Sequence, residues 1–299
     1  MFRYNAYGLT VESDLELRGL RVTESTIAPA DVEVLCVSVS LAEAQATGNW
    51  HRLQPQESQL VWEGVGCFLI QDGRRIHYQV ASEATPSSAC QAVLGPAMGL
   101  LLQQRGLVPL HASALAINGV AIGIAGDSGM GKSTTAQALH ARHHALVTDD
   151  IAALSCDGDQ VTIRPGHAAL RLWPDSLLRV EANPAAHERL HADTEKRRLD
   201  LSEDVATEPL RLASIVVLCD GDEERLERLS APRAAFELLR HYYYPELTGA
   251  VFGPSVLLQQ CGQLAERLEV YRLHRRKQAE AIDGMVGLIE QCRELLGEQ

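Results

Sequence analysis

One octapeptide constrains the fold of this chain more than any other feature. Gly126-Asp-Ser-Gly-Met-Gly-Lys-Ser133, here called the phosphate loop, fits the pattern G-x-x-x-x-G-K-[S/T] in full. The apolar run Val120–Ala125 precedes it, and the helical stretch Lys132–Arg142 follows it. A strand, a glycine-rich turn and a helix in this order place backbone N–H groups around phosphate oxygens. The unit therefore predicts an α/β fold that binds a nucleotide through its phosphates.

Each position of the phosphate loop has a predicted role. Lys132 is expected to bridge the β- and γ-phosphates, and the hydroxyl of Ser133 is expected to ligate Mg²⁺. The positive end of the helix dipole adds to the attraction for anions. The predicted nucleotide-binding residues of the loop and its helix are Gly126, Asp127, Ser128, Gly129, Met130, Gly131, Lys132, Ser133 and Thr134.

Lysine is rare in this chain, which draws attention to its positions. Of 27 basic residues only three are lysines, namely Lys132, Lys196 and Lys277. A compact ammonium and a planar guanidinium are not interchangeable in a binding site. Lys196 lies in the charged stretch His187–Asp200, which we expect to be a mobile loop that closes on phosphate or substrate. A solvated basic run is the alternative for Lys196, and Lys277 is expected to be ordinary surface charge.

An acidic pair, Asp149-Asp150, ends the next predicted strand, Ala145–Thr148. One helix and a short return bring this pair beside the phosphate loop, on the strand adjacent to the one that enters it. Neighbouring side chains on an extended backbone point to opposite faces, so we expect two different roles. Asp149 is predicted to accept the proton of an acceptor hydroxyl, and Asp150 to hold the metal with Ser133. A plain acidic end of a strand is the alternative.

The segment before the loop predicts a β-hairpin. Asn118-Gly119 separates His111–Ile117 from the strand that enters the phosphate loop, and this dipeptide is the strongest short-range hairpin signal. The hairpin places His111 near the phosphates, where it is expected to contact the γ-phosphate or the acceptor. A structural histidine with satisfied hydrogen bonds is the alternative.

Charge and apolar content narrow the class of partner. The net charge of −12 disfavours nucleic acid as a partner, because a phosphate-rich duplex would be repelled. No apolar run reaches the roughly 18 residues of a membrane span, and no signal peptide is evident, so we expect a cytoplasmic protein without a membrane partner. The seven scattered cysteines contain no C-x-x-C pair and are expected to be reduced and mostly buried.

Two domains are predicted from the patterns along the chain. Residues 1–90 contain short apolar runs and an Asp-Gly turn, which indicate a β-rich domain that could dock a substrate. Residues 81–88 are small and polar and are interpreted as the linker. Residues 91–299 carry the phosphate loop. Helices are predicted over Gln91–Gln104, Arg233–Tyr242, Ser255–Arg267 and Lys277–Leu296.

These segments together resemble the HPr kinase/phosphorylase family. The similar segments are Leu110-His-Ala-Ser113, the Asn-Gly hairpin, the phosphate loop and Leu146-Val-Thr-Asp-Asp150. The resemblance implies a phosphoenolpyruvate-carboxykinase-like P-loop kinase core that uses ATP and Mg²⁺ to phosphorylate a serine of a protein. It implies roles for His111, Lys132, Ser133, Asp149 and Asp150 like those given above, and it suggests a homo-oligomer.

The wider chain resembles a divergent branch of HPr-kinase-like proteins, some of which modify a serine of a lasso-peptide precursor. The similar segments are Tyr7–Ser13, Pro165–Asp175 and Glu195–Arg197. Where the family carries a Glu-Arg-Gly run after the acidic pair, this chain reads Leu-Arg-Leu-Trp-Pro-Asp. This departure weakens the case for HPr itself as the substrate and for the reverse reaction. Arg171 is expected to supply positive charge at the transferring phosphate, and a structural ion pair is its alternative.

The sequence thus predicts ATP- and Mg²⁺-dependent transfer of phosphate to a serine of a peptide or small protein. The predicted architecture is the kinase core of residues 91–299 with a β-rich N-terminal domain. A small-metabolite kinase stays open, because many such kinases also place an aspartate at the end of the strand after the loop helix. A nucleotide-binding regulatory module without transfer also stays open.

Overall fold

The N-terminal part of the chain is built on one sheet. The computed structural model describes residues 1–24, 29–39, 48–178, 183–189, 195–276 and 282–295. Within these residues the sheet has eight strands: β1 (Phe2–Ala6), β2 (Leu9–Ser13), β3 (Arg21–Val22), β4 (Val32–Cys36), β5 (Trp50–Leu53), β6 (Glu57–Trp62), β7 (Gly66–Gln71) and β8 (Arg75–Val80). Their order is β3-β1-β2-β4-β8-β7-β6-β5, with parallel pairing at β2–β4 and β4–β8. Residues 1–90 are β-rich, and the domain boundary at residue 90 stays a prediction.

The helix predicted over Gln91–Gln104 is interrupted in the structure. It consists of α1 (Pro86–Ala92), a π-helical turn (Val93–Ala97) and α2 (Met98–Gln104). The backbone of Gly95 leaves the helical region, with φ −91° and ψ −111°, and Pro96 has no N–H to continue the hydrogen-bond ladder. Buried side chains of both helices share one hydrophobic core with the N-terminal sheet.

A second sheet positions the phosphate loop. Its strands are β9 (Val108–Leu110), β10 (Ala112–Ile117), β11 (Val120–Gly126), β12 (Ala145–Thr148), β13 (Ala152–Asp157), β14 (Gln160–Arg164), β17 (Leu210–Asp220), β18 (Arg225–Arg228) and β19 (Glu269–Arg275). The main order is β12-β10-β11-β17-β14-β13-β9, with β19 paired to β17 and β18. Strand β11, which enters the loop, lies inside the sheet because it pairs with β10 on one side and β17 on the other. Strands β11, β17 and β19 run parallel.

Helices follow the strands of this sheet. They are α3 (Lys132–His140), α4 (Pro174–Leu178), α5 (Ala231–Arg240), α6 (Pro245–Phe252), α7 (Pro254–Arg267) and α8 (Ile282–Leu295), with a 3-10 turn at Pro184–Ala186. The predicted mixed α/β class is confirmed. The predicted hairpin of β10 and β11 is also confirmed, with φ of 49° at Asn118 and 83° at Gly119. Helix α6 was not predicted, and residues 277–281, including Lys277, lie outside the described residues.

One expectation about strand placement is wrong, and one about a loop is wrong at its C-terminal end. Strand β12 pairs with β10 rather than with β11, because the hairpin partner β10 already occupies that edge of β11. The charged stretch predicted as a mobile loop ends in a strand, β16 (Arg197–Asp200), which pairs with β15 (Ala169–Leu172). Residues 190–194 of that stretch lie outside the described residues.

The cysteines agree with the expectation drawn from their spacing. All seven cysteines are free, and Cys67, Cys90, Cys261 and Cys292 are buried. Among the helices that the structure describes, none combines the length and the apolar character needed to cross a membrane.

Candidate functional site

The phosphate loop connects the end of β11 to the start of α3. Gly129 and Gly131 adopt φ of 85° and 88°. This is the left-handed backbone region, which residues with a side chain rarely adopt. The Lys132 ammonium donates a hydrogen bond to the carbonyl oxygen of Gly126 at 2.7 Å. The lysine side chain therefore reaches back across the loop to its first residue.

Burial lowers the pKa of Lys132, and the carboxylates of Asp149, Asp150 and Asp127 oppose that shift. The ammonium is thus partly desolvated, and the negative charge of the three carboxylates offsets part of the cost. A desolvated cation interacts more strongly with an incoming anion than a solvated one does.

Asp149 is buried and is held by hydroxyl groups. The Ser113 hydroxyl donates to Asp149 Oδ1 at 2.5 Å, and the Ser133 hydroxyl lies 3.3 Å from Asp149 Oδ2. Burial raises the pKa of Asp149, and the hydrogen bond from Ser113 opposes this shift. The Asp149 carboxylate therefore lies beside Ser133, the serine that ends the phosphate loop.

Asp150 faces a different set of groups. Its carboxylate contacts an Arg171 guanidinium nitrogen at 2.9 Å, the Tyr243 hydroxyl at 3.2 Å and His111 Nδ1 at 3.3 Å. Burial alone would raise the pKa of Asp150, but Arg171 and His111 hold it below its ordinary value. The backbone of Asp150 is left-handed, with φ of 73°, a conformation that aspartate tolerates better than most residues.

The two carboxylates have separate surroundings, as expected from the sequence, but the metal pairing differs from the expectation. Ser133 is the neighbour of Asp149 rather than of Asp150. The left-handed turn at Asp150 directs its carboxylate toward Arg171 instead. The hydroxyl and the carboxylate of Ser133 and Asp149 are hard oxygen donors, the type that Mg²⁺ prefers.

The number of protein ligands in this donor set, which is two, also fits Mg²⁺. Within the described part of the chain, no group of three or more His, Cys, Asp or Glu side chains is arranged to hold a metal ion. Magnesium in phosphate sites commonly takes one or two protein ligands and completes its shell with phosphate oxygens and water. A site of Ser133 and Asp149 matches that pattern.

Asp150 lines three cavities among the described residues, and two of them also contact the phosphate loop. One, of about 210 Å³, is lined by the phosphate loop, Asp149, Trp173 and Lys196. The other, of about 410 Å³, is lined by the start of the loop and by the segment 240–246. His111, Asp150 and Arg171 line both cavities. A group in the larger cavity can therefore reach the carboxylate that borders the phosphate cavity.

The remaining predicted residues lie at the edges of this site. Asp127 pairs with Arg240 at 3.1 Å, and Met130 packs against the core beneath the loop. The Thr134 hydroxyl lies 3.2 Å from the hydroxyl of Ser176, at the start of α4. Lys196 Nζ lies 5.4 Å from the ring centre of Trp173.

Several residues of the site were not predicted from the sequence: Ser113, Tyr243, Tyr244, Arg240 and Trp173. Tyr243 packs edge-on against Tyr244, with ring centres 4.9 Å apart, and both line the larger cavity. Burial raises the pKa of Tyr243 well above its ordinary value, so its hydroxyl stays a hydrogen-bond donor to Asp150. The run of three tyrosines at 242–244 was the available sequence signal.

Asp149→Asn is expected to stabilise the protein in the absence of ligand. The raised pKa means that the fold disfavours the charged carboxylate, and this penalty grows as pH rises from the ordinary aspartate pKa through the raised value. A gain of ~1 kcal/mol would raise the melting temperature by about 2–4 °C at neutral pH. Thermal unfolding measured from pH 3 to pH 8 checks this: the gain should vanish at the acid end. An unchanged or lower melting temperature at pH 8 would contradict it.

Comparison with known proteins gives a partial similarity. No family model matches the chain. Over 64 residues it is 42% identical to the HPr kinase/phosphorylase of Treponema pallidum, in strain Nichols and equally in a second strain of subspecies pallidum. This segment is 21% of the chain and 20% of the relative, so the chain spans about a fifth of the length of the curated relatives it matches.

A solved structure of a similarly named protein superposes on this chain to a limited degree. The Hpr(Ser) kinase/phosphatase from Coxiella burnetii superposes with a TM-score of 0.35 and 14% sequence identity. The superposition covers 63% of this chain and 97% of that chain. The sequence similarity to HPr kinase/phosphorylase is thus supported over one segment of 64 residues.

Proposed function

We propose that this protein is a Mg²⁺-dependent kinase that transfers the γ-phosphate of ATP to a serine hydroxyl of a peptide or small protein. The observation that carries the proposal is the separation of the two carboxylates. Asp149 lies with the Ser133 hydroxyl of the phosphate loop, whereas Asp150 borders a second cavity beside it. The site therefore supports one carboxylate for a metal and one for an acceptor.

The phosphate loop and its cations supply the donor site. Backbone N–H groups of the loop would bind the phosphates, with Lys132 at the β- and γ-phosphates. Arg171 borders the same cavity, and so does Lys196, the second predicted phosphate ligand. Positive charge fixed in advance around a transferring phosphoryl group stabilises the charge on its oxygens.

The metal roles follow the geometry rather than the order expected from the sequence. Ser133 and Asp149 would hold Mg²⁺, and the ion, when bound, neutralises charge on the phosphates. The donor set is a hydroxyl and a carboxylate that already lie 3.3 Å apart. Asp150, assigned to the metal from sequence, takes the role of base in this proposal.

Asp150 would accept the proton of the attacking hydroxyl. The serine oxygen forms a bond to the γ-phosphorus, the bond between that phosphorus and the bridging oxygen of ADP breaks, and the serine proton passes to Asp150. Arg171 and His111 hold the pKa of Asp150 below its ordinary value, so the carboxylate is ionised before the step. Tyr243 and His111 fix its orientation through their contacts with its two oxygens.

The acceptor class rests on resemblance and on access to Asp150. The larger cavity opens beside Asp150 and is lined by Tyr243, Tyr244 and Arg240, a mixture of aromatic and basic groups. Such a surface suits a peptide backbone with side chains better than a fully polar metabolite. A serine in a precursor peptide, as in the tailoring branch that the sequence resembles, is the acceptor that we propose.

A transfer experiment tests this function. The protein is incubated with γ-labelled ATP, Mg²⁺ and peptides or small proteins encoded near its gene. Label is expected on a serine, and only when Mg²⁺ is present. Label confined to a small metabolite would support a metabolite kinase instead. ATP binding without transfer to any acceptor and without hydrolysis would support a regulatory module.

A further inference from the structure

The phosphate cavity contains one aromatic side chain that the proposed mechanism does not use. Trp173 lines this cavity, and its side chain is 50% exposed. We propose that Trp173 is the surface on which the nucleobase of the phosphate donor stacks. The proposal rests on the proposed function and deepens it, because it names the residue by which the site distinguishes a nucleoside triphosphate from an inorganic polyphosphate.

The direction of the bound donor follows from the residues already placed. Asp150 marks the end at which the γ-phosphate meets the acceptor, and Lys132 marks the β- and γ-phosphates. The α-phosphate and the nucleoside must then leave at the opposite end of the loop, where Thr134 follows Ser133 on α3. The Thr134 hydroxyl contacts Ser176 at 3.2 Å, so α4 flanks this exit.

Trp173 lies at this exit because of its position after β15. Arg171 reaches Asp150 from β15, and Trp173 directly follows the last residue of that strand and lines the same cavity. Helix α4 begins at the next residue, Pro174, and carries Ser176 to Thr134. The Trp173 ring thus stands next to α4, the helix that flanks the nucleoside end of the cavity.

The neighbour of Trp173 supports a role with an anionic, aromatic ligand. Lys196 Nζ lies 5.4 Å from the centre of the indole ring, within the range of a cation–π interaction. The lysine orients one face of the ring and brings a positive charge to the same cavity as the phosphates. A ligand with both a π-face and phosphates matches this pair, whereas a bare polyphosphate uses only the lysine.

Calorimetry with two probes tests the inference. Binding of a non-hydrolysable ATP analogue and of inorganic tripolyphosphate, both with Mg²⁺, is measured for the wild type, Trp173→Ala, Trp173→Phe and Phe236→Ala. Phe236 is a matched control, because it is an aromatic side chain with 66% exposure on α5 that lines neither cavity. Base–aromatic stacking corresponds to about a 5- to 150-fold change in affinity.

Trp173→Ala is expected to weaken the nucleotide by that factor and to leave tripolyphosphate within about twofold, which also shows that the variant is folded. Trp173→Phe should retain most of the affinity, and Phe236→Ala all of it. Equal weakening of both probes, or no change in either, would overturn the stacking role while the phosphate site stands. A wild-type protein that binds neither probe would overturn the proposed function itself, and the stacking role with it.

Discussion

Asp150→Asn is expected to remove most phosphoryl transfer and to leave nucleotide binding intact. The amide keeps the shape and the left-handed backbone that the position requires, but it cannot take the serine proton. Loss of a general base typically costs about 10²- to 10⁴-fold in rate. The affinity for Mg-ATP should stay the same or increase, because a carboxylate that repels the phosphates is gone while Arg171 remains.

Single-turnover transfer from γ-labelled ATP to the acceptor serine measures the rate, and calorimetry measures the affinity. Asp159→Asn, in an exposed turn, is the matched control and should behave as the wild type. Asp149→Asn should differ from Asp150→Asn by weakening Mg²⁺ binding, so that transfer requires a higher Mg²⁺ concentration. Near-normal transfer by Asp150→Asn, together with a collapse in Asp149→Asn, would return the base role to Asp149.

Gly166→Ala is expected to destabilise the protein strongly. A Cβ at this position would lie 2.1 Å from Cε1 of Tyr7, a buried side chain in the turn between β1 and β2. The backbone cannot withdraw easily, because Gly166 N donates to Val147 O at 2.9 Å and Tyr7 N donates to Pro165 O at 2.6 Å. Overpacking costs about 1–3 kcal/mol, and we expect the upper end of that range.

Thermal unfolding checks this result, with an expected fall in melting temperature of about 6–12 °C. Gly262→Ala is the matched control, because a Cβ at Gly262 in α7 meets nothing within 4 Å and alanine favours a helix. That control should be neutral or more stable. Equal melting temperatures for Gly166→Ala and the wild type would show that Tyr7 moves aside freely.

Gly166 affects both the stability of the protein and the geometry of the candidate site. The next residue, His167, accepts a hydrogen bond on its carbonyl from Asp149 N at 2.6 Å, and its own N–H lies 3.4 Å from the Tyr7 hydroxyl. A displacement at Gly166 would therefore reach the backbone of the metal carboxylate. We expect the dependence of transfer on Mg²⁺ to change in Gly166→Ala, and not in Gly262→Ala.

The parts of the fold that could be predicted depend on residues near one another in the chain. The Asn118-Gly119 hairpin and the phosphate loop each follow from the backbone freedom of a few residues. The interruption at Gly95-Pro96 has an equally local cause, and the helical spacing of the apolar residues concealed it. The strand order could not be predicted. Strand β12 pairs with the edge of β10 that β11 does not occupy, and no pattern in the sequence of β12 indicates this partner.

The sequence by itself determined the chemistry available to this protein: a phosphate loop with Lys132 and Ser133, and two carboxylates after the next strand. Which carboxylate lies with Ser133 was decided only by the tertiary structure. The left-handed backbone at Asp150, together with Arg171, Tyr243 and His111, draws that side chain to the second cavity. These partners come from distant segments, and their convergence depends on long-range packing that no local pattern encodes.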